Sequence, residues 1–231
     1  MTIWAIVPVK PLRRGKTRLA KVLSEDQRAA LNKRLLIHTL DTITQLPVLE
    51  QVLVVSRDPE ALAIARYHGA RTVLEDGAPH LNIAITRAAT IAMIYNVSGV
   101  LILPADLPQL TESDVLTMAE AAKYSNTMVI APDHRQQGTN ALLVKPPNLI
   151  NFSFGENSFY RHTSQATAKG ARVAVVELPS LARDVDYPED LVFLNGQLEA
   201  WTSVEDCNPR KGSNGNSYAE MIASGTVGSE S

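Results

Sequence analysis

VPVKPLRRGKTRLAKVL, residues Val7 to Leu23, joins the end of an apolar run to a loop containing the letters Gly-Lys-Thr. Two kinds of phosphate-binding loop follow such a run, and they belong to different folds. A Walker A loop needs a second glycine ahead of its Gly-Lys-[Ser/Thr], with four residues between, so that backbone N–H groups curl around the phosphate. Counting back from Gly15, that position is Lys10, and Pro11 beside it has no N–H to give. The Walker reading fails. The other reading uses side chains: Lys10, Arg13, Arg14, Lys16, Arg18 and Lys21 place six cations in twelve residues directly after the apolar run. Ligands of open α/β sheets bind just outside the carboxyl ends of the strands, and a cationic loop there suits a triphosphate. A solvated basic turn explains Arg13 and Arg14 equally well, whereas Lys16 and Arg18, flanking Thr17, fit phosphate binding better.

Outward from that loop the pattern alternates. IWAIVPV (Ile3 to Val9) is continuously apolar, as a strand buried on both faces is. Ser24 with Gln27 forms a capping box, and Leu31, Leu35, Thr39 and Ile43 recur at helical spacing behind it. QVLVVS (Gln51 to Ser56) reads as a second buried strand, and PEALAIARYHG as a helix opened by Pro59 and closed by Gly69. ARTVLED is a strand, LNIAITRAATIAMIYNV a long helix, and GVLILPADLP (Gly99 to Pro108) the most apolar strand of all. Thr111 caps a helix expected to reach Tyr124. TMVIAP, NALLV and ARVAVVEL supply three more strands, with a helix between Ser158 and Lys169. Pro188 opens a last helix expected to run to about Leu198. This alternation predicts an α/β protein: a three-layer sandwich whose mixed, mostly parallel sheet is covered by helices on both faces.

The 231 residues are 45% apolar and 20% charged, a globular balance that suits one domain over residues 1–201. From Thr202 onward Ser, Gly and Asn dominate without an apolar period, so residues 202–231 are expected to form a disordered tail. A formal charge of -2 provides no overall basic field for nucleic acid. The single cysteine, Cys207, excludes an internal disulfide framework and a multi-thiolate zinc site, and fits a reducing cytosol. No apolar run approaches the roughly 18 residues of a membrane span. TIWAIVPV reads as a strand and not as a signal peptide, so a cytoplasmic protein is expected.

Two acidic sites stand out. In LILPADLPQL, Asp106 follows the most apolar strand and should sit at the mouth of the sheet, where a hard oxygen ligand suits Mg²⁺. A turn or cap aspartate is the bland alternative. In LARDVDYPEDL, Asp184 and Asp186 are expected to point to opposite sides of an extended segment, so that only one faces the cleft with Asp106. Glu189 and Asp190, in the first turn of the following helix, are assigned to capping.

Together, VPVKPLRRGKTRLA, LPADLP and DVDYPEDL resemble the phosphoenolpyruvate and 2-phospho-L-lactate guanylyltransferases of the nucleotidyltransferase superfamily, over roughly Thr2 to Ala200. The resemblance implies the nucleotide-diphospho-sugar transferase (Rossmann-like) fold and a role in synthesis of the deazaflavin coenzyme factor 420. It implies transfer of GMP from GTP to the phosphate of a small phosphorylated carboxylic acid, with Mg²⁺ as cofactor and release of diphosphate. Asp106 and Asp186 are then the metal ligands, Asp186 being preferred to Asp184 for its place beside Pro-Glu-Asp. Lys10, Lys16, Arg18 and Asn82 are implied nucleotide-binding residues, with Lys16 and Arg18 also catalytic. The acceptor acid would be held by Thr139 of GTNALL and by Gly155 and Ser158 of FGENSF. Taken singly, these three read as a strand residue, a turn and an N-cap. One departure is visible: Tyr187 stands where the family usually has threonine. Family members are often dimers, so a homodimer is one expected state.

An acceptor phosphate is already anionic near neutral pH, so no strong base is required, and no histidine sits in a motif. His80, beside Leu81-Asn82, reads as structural. Two other readings stay open at this point: the same chemistry on a sugar phosphate or molybdenum cofactor, and a non-catalytic nucleotide binder. Phosphoenolpyruvate, 2-phospho-L-lactate and 3-phosphoglycerate are too alike for the residues to sort, with phosphoenolpyruvate preferred.

Overall fold

Seven apolar runs become seven strands of one sheet. In this computed structural model, which describes residues 2–76, 80–194 and 196–204, the strands are β1 (Ile3–Val9), β2 (Gln51–Ser56), β3 (Arg71–Leu74), β4 (Gly99–Ile102), β5 (Thr127–Pro132), β6 (Thr139–Lys145) and β7 (Arg172–Val175). Their order across the sheet is β3-β2-β1-β4-β6-β5-β7. Every neighbouring pair is parallel except the two that involve β6. The reversal has a local cause. Only residues 133–138 separate β5 from β6, enough for an antiparallel return and too few for the crossover that parallel strands need.

Period two along the strands divides the core. Ile3, Ala5 and Val7 face one apolar cluster with Leu101 and Leu103, whereas Trp4 and Ile6 face another with Val100 and Ile102. Against the first face pack α1 (Glu25–Ile43), α2 (Pro59–Tyr67) and α4 (Glu112–Ala121); against the second, α3 (Leu81–Ile94) and α5 (Ser158–Ala168). The three layers expected from the alternation are there. Edge strands β3 and β7 are four residues long and half exposed, the short edges that discourage pairing with other chains.

Capping at Ser24 follows the residues that announced it, and α2 adds a cap ahead of Pro59. Ser24 and Gln27 exchange both bonds of a capping box, and Asp58 accepts from the Glu60 amide ahead of Pro59. Some boundaries differ from the sequence reading. β4 stops at Ile102, because Pro104 cannot continue the ladder, and the chain leaves the sheet before Asp106. α4 ends at Ala121, short of Tyr124. The last helix is not one helix: Pro188–Leu194 is a 3-10 turn, Gly196 follows at φ +71°, and α6 is a separate short helix over Leu198–Thr202. Only glycine adopts that φ without steric cost, so the chain is broken there and restarted. Thr202 closes α6 and is buried. The expected tail beyond it falls, from residue 205 on, outside the described residues. Among the described residues no helix is long and apolar enough to cross a membrane.

One feature sets up the site. β1, β2 and β3 proceed to one side, and β4 then pairs with the other side of β1. The order in which strands are added reverses between the parallel neighbours β1 and β4, and the crevice outside the carboxyl ends of two such strands is where open α/β sheets bind ligands. Lys10 leaves β1 and Asp106 follows β4 at that point.

Candidate active site

A third apolar cluster, apart from the two sheet faces, assembles the site. Leu19 and Leu23 from the opening loop, Leu31 and Leu35 from α1, and Val185 and Leu194 from the last segment bury one another, with Leu198 and Trp201 against them. Val185 is wholly buried, worth about 1.5–3 kcal/mol for a side chain of this kind. Its backbone is fixed on both sides: the Val185 N–H donates to the Asp106 carbonyl (3.1 Å), and the Lys16 ammonium donates to the Val185 carbonyl. Three distant pieces of chain therefore meet at one residue.

The flanking aspartates follow from that anchoring. Carboxylate oxygens of Asp106, Asp184 and Asp186 lie within 4.8 Å of one another. The expectation that Asp184 and Asp186 diverge is corrected: positions two apart on an extended chain share a face, and the intervening Val185 takes the opposite one, into the apolar cluster. The choice of Asp186 over Asp184 dissolves, since both stand with Asp106. Asp190 is the cap expected of it. Its carboxylate accepts from the Asp186 amide (3.0 Å) and the Tyr187 amide (2.7 Å), fixing the turn that carries Asp186. Tyr187 spreads its ring under the Arg18 guanidinium, 4.7 Å from the ring centre.

Electrostatics define what this cluster accepts. Burial raises the Asp106 carboxyl above its ordinary range, Lys16 opposes the rise, and Asp186 adds to it. Asp184 is pushed up to about 7, by burial first and then by the Asp106 and Asp186 charges. Lys16 stands 3.8 Å and Arg18 3.3 Å from Asp186, so the ion pairs go to that carboxylate, and Lys16 only partly offsets the crowding of the other two. Three half-buried hard oxygen donors, short of positive charge, match a divalent cation such as Mg²⁺, which takes few carboxylates and completes its sphere with water and phosphate oxygens.

The opening loop is built to hold its shape. Arg14 and Gly15 amides both donate to the Pro11 carbonyl, the Leu12 amide donates to Asp58 (2.7 Å), and the Asn32 amide group donates to the Leu12 carbonyl (2.6 Å). Gly15 leaves room for that last contact, since a Cβ there would lie 2.7 Å from the Asn32 nitrogen and push it aside. Lys16 adopts a left-handed backbone, φ 53° and ψ 41°, uncommon for a non-glycine residue, and opens a 3-10 turn over Thr17–Lys21. Its side chain is 5% exposed, whereas Arg13 is 61% exposed and pairs with Glu25 and Asp26 at the start of α1. The bland reading holds for Arg13. Lys10, exposed at the end of β1, stands near enough to act on the Asp106 carboxyl.

A second group gathers around residues 153–162. Gly155 has φ +115°, and the Ser158 amide donates to its carbonyl (3.1 Å), turning the chain into α5. Asn82, at the start of α3, exchanges two bonds with the Phe154 backbone: its oxygen accepts at 2.7 Å and its nitrogen donates at 3.2 Å. The Asn82 side chain is thus committed to the loop before Gly155. Thr139, at the start of β6, meets the ring of His162 at 3.1 Å, and the next residue, Asn140, donates to the Leu181 carbonyl ahead of Asp184. No hydrogen bond or ion pair among the described residues joins this group directly to the aspartates. His162 is the residue that motif reading missed. Its signal is periodicity, because Ser158, His162 and Ala166 form the buried stripe of α5. His80 precedes α3, is exposed and makes no side-chain cap bond.

A cluster of this kind at the switch point is shared by many enzymes, and the sequence decides among them. The family model described as Guanylyl transferase CofC like matches residues 3–200. The chain belongs to that family. This guanylyltransferase is 41% identical over 194 residues to a phosphoenolpyruvate guanylyltransferase of Rubrobacter xylanophilus, covering 84% of this chain and 94% of the relative. To a 2-phospho-L-lactate guanylyltransferase of Methanothermobacter thermautotrophicus it is 32% identical over 199 residues, covering 85% and 86%. The fold is that of the nucleotide-diphospho-sugar transferases. Solved structures with it include a CMP:2-keto-3-deoxy-manno-octonic acid synthetase complexed with CTP (TM-score 0.60, 11% identity, 87% and 99% of the two chains). A 4-diphosphocytidyl-2C-methyl-D-erythritol synthase of Anaerococcus prevotii has TM-score 0.60, 13% identity and coverage of 85% and 96%.

Proposed function

We infer that this enzyme joins the guanylyl group of GTP to the phosphate of phosphoenolpyruvate and releases diphosphate, in synthesis of the deazaflavin coenzyme. The relative from Rubrobacter carries that acceptor in its name at 41% identity, which favours it over 2-phospho-L-lactate. The single observation that carries the chemistry is the convergence of Asp106, Asp184 and Asp186 beside Lys16 and Arg18. A pure nucleotide binder has no need to crowd three carboxylates at that cost.

The reaction brings two anions together, so charge is its obstacle. Asp106, Asp184 and Asp186 would hold Mg²⁺. An ion held there would supply charge neutralisation to phosphate oxygens and favour in-line displacement at the α-phosphorus. Lys10, Lys16 and Arg18 face the departing diphosphate. Thr139, Gly155 and Ser158 receive the acceptor, with a glycine where backbone approaches an anion and a helix N-terminus behind it. The acceptor phosphate attacks as an anion, so these residues orient it and remove no proton from it.

Incubation with GTP, Mg²⁺ and, in turn, phosphoenolpyruvate, 2-phospho-L-lactate, 3-phosphoglycerate and a sugar phosphate tests the reading, with the product identified by mass. A guanylylated phosphoenolpyruvate formed fastest is expected. Diphosphate release only with a sugar phosphate, or with none of the acceptors, would overturn it.

A further inference from the structure

The His162 ring is wholly buried on α5, where it packs edge-on against Phe154 with ring centres 5.0 Å apart. Both of its nitrogens are engaged. The Ser153 backbone N–H donates to Nε2 at 3.0 Å, and Thr139 Oγ1 lies 3.1 Å from Nδ1. A backbone amide can only donate, so Nε2 is the acceptor and the single proton of the neutral ring resides on Nδ1. Nδ1–H therefore donates to Thr139, and the hydroxyl accepts.

We propose that His162 is a positioning residue that makes the Thr139 hydroxyl a dedicated hydrogen-bond donor to the anionic acceptor. A threonine hydroxyl has one proton and two lone pairs. With one lone pair taken by Nδ1–H, the proton of Oγ1 must point away from the ring. Thr139 is 7% exposed, so bulk water does not scramble that orientation. An O–H held this way meets a phosphate or carboxylate oxygen without first turning, and it repels a cation or another donor. The loop is included in the same arrangement. Ser153, which sets the tautomer, lies two residues before Gly155, and Asn82 clamps the Phe154 between them. Burial, with the neighbouring Arg161 charge, lowers the His162 pKa to about 4, so the ring keeps this state at working pH.

The inference rests on the reading that Thr139 meets the phospho-acid, and two measurements separate the failures. The first uses the unaltered protein: long-range ¹H–¹⁵N spectra of the imidazoles should show His162 protonated on Nδ1 alone, unchanged from pH 8 to pH 5.5. A proton on Nε2, or titration in that range, overturns the proposal with no variant made. The second is a kinetic cycle of Thr139→Val, His162→Gln, His162→Asn and the double change Thr139→Val with His162→Gln, read as KM for phosphoenolpyruvate against KM for GTP. Gln keeps an acceptor for Ser153 and loses the donor to Thr139, whereas Asn restores a donor near Nδ1. Loss of a hydrogen bond to a charged group corresponds to a rise of about tenfold to hundredfold in acceptor KM. That rise is expected for Thr139→Val and, in smaller degree, for His162→Gln, with GTP KM unmoved, partial rescue by Asn, and a double variant no worse than Thr139→Val. Multiplying effects in the double variant, or equal changes in both KM values, mean a merely structural histidine and overturn the proposal. Unchanged acceptor KM in Thr139→Val removes the acceptor reading and this proposal together, whereas a raised KM there with none in His162→Gln removes this proposal alone.

Discussion

Asp184→Asn takes one negative charge out of a cluster whose oxygens lie within 4.8 Å of one another, at nearly constant shape. In the metal-free protein the Asp184 carboxyl is pushed up from 3.8 to about 7, chiefly by burial. Across that interval the folded chain binds more protons than the unfolded chain, so stability contributed at this site is lost as pH rises from about 4 to about 7. The interval is about three units, and at about 1.4 kcal/mol per unit the ionised group costs at most about 4 kcal/mol at pH 8. By pH 5 less than half of that remains. In a chain of this length each kcal/mol shifts the melting midpoint by about 2–4 °C. Thermal melts in EDTA should therefore place the variant above the parent protein by up to about 8–16 °C at pH 8, with the gap more than halved at pH 5. Millimolar Mg²⁺ at pH 8 should then raise the parent more than the variant, because a ligand stabilises the state that binds it. Parallel melts from pH 5 to pH 8, or equal gains with Mg²⁺, would refute the account of the cluster as a crowded cation site.

Asp106→Asn should lower turnover by orders of magnitude, measured by diphosphate release, in a chain that melts no lower than the parent in EDTA, because burial raises this carboxyl as well; near-normal turnover would remove Asp106 from the chemistry. Lys16→Ala should raise the KM for GTP and weaken Mg²⁺ binding together, because its ammonium anchors the Val185 carbonyl as well as standing by Asp186; unchanged kinetics would return the loop to a solvated turn. Asn82→Ala removes both bonds to the Phe154 backbone and should raise the acceptor KM more than the GTP KM. The opposite ratio would give Asn82 the direct nucleotide contact that its motif implied.

The layers were legible because strand burial leaves continuous apolar runs, and the caps at Ser24 and Thr111 announced their helices. Asp106 was legible for a related reason: a charge that ends the most apolar run has to stand at the mouth of the sheet. Less was visible in the last segment. DVDYPEDLVFLNG holds helix-forming residues, yet Gly196 and the Asp190 bonds to two preceding amides turn it into a 3-10 turn and a separate helix. Asp184 was misjudged because the period of an extended chain was applied with the wrong parity, and Val185, buried among leucines from α1 and the opening loop, fixes that parity. His162 could not be found by motif, because its partners Thr139 and Ser153 come from a strand and a loop that sequence distance does not relate.

The joint at Val185 separates architecture from competence in time. All seven strands are complete at Val175, before the ribosome has reached Asp184 or Asp186. The sequence up to the end of β7 thus carries every strand of this sheet and the whole opening loop, yet only one of the three carboxylates that gather in the cluster. The cluster is complete only once Val185 and Leu194 of the final segment dock against the leucines of α1 and the opening loop.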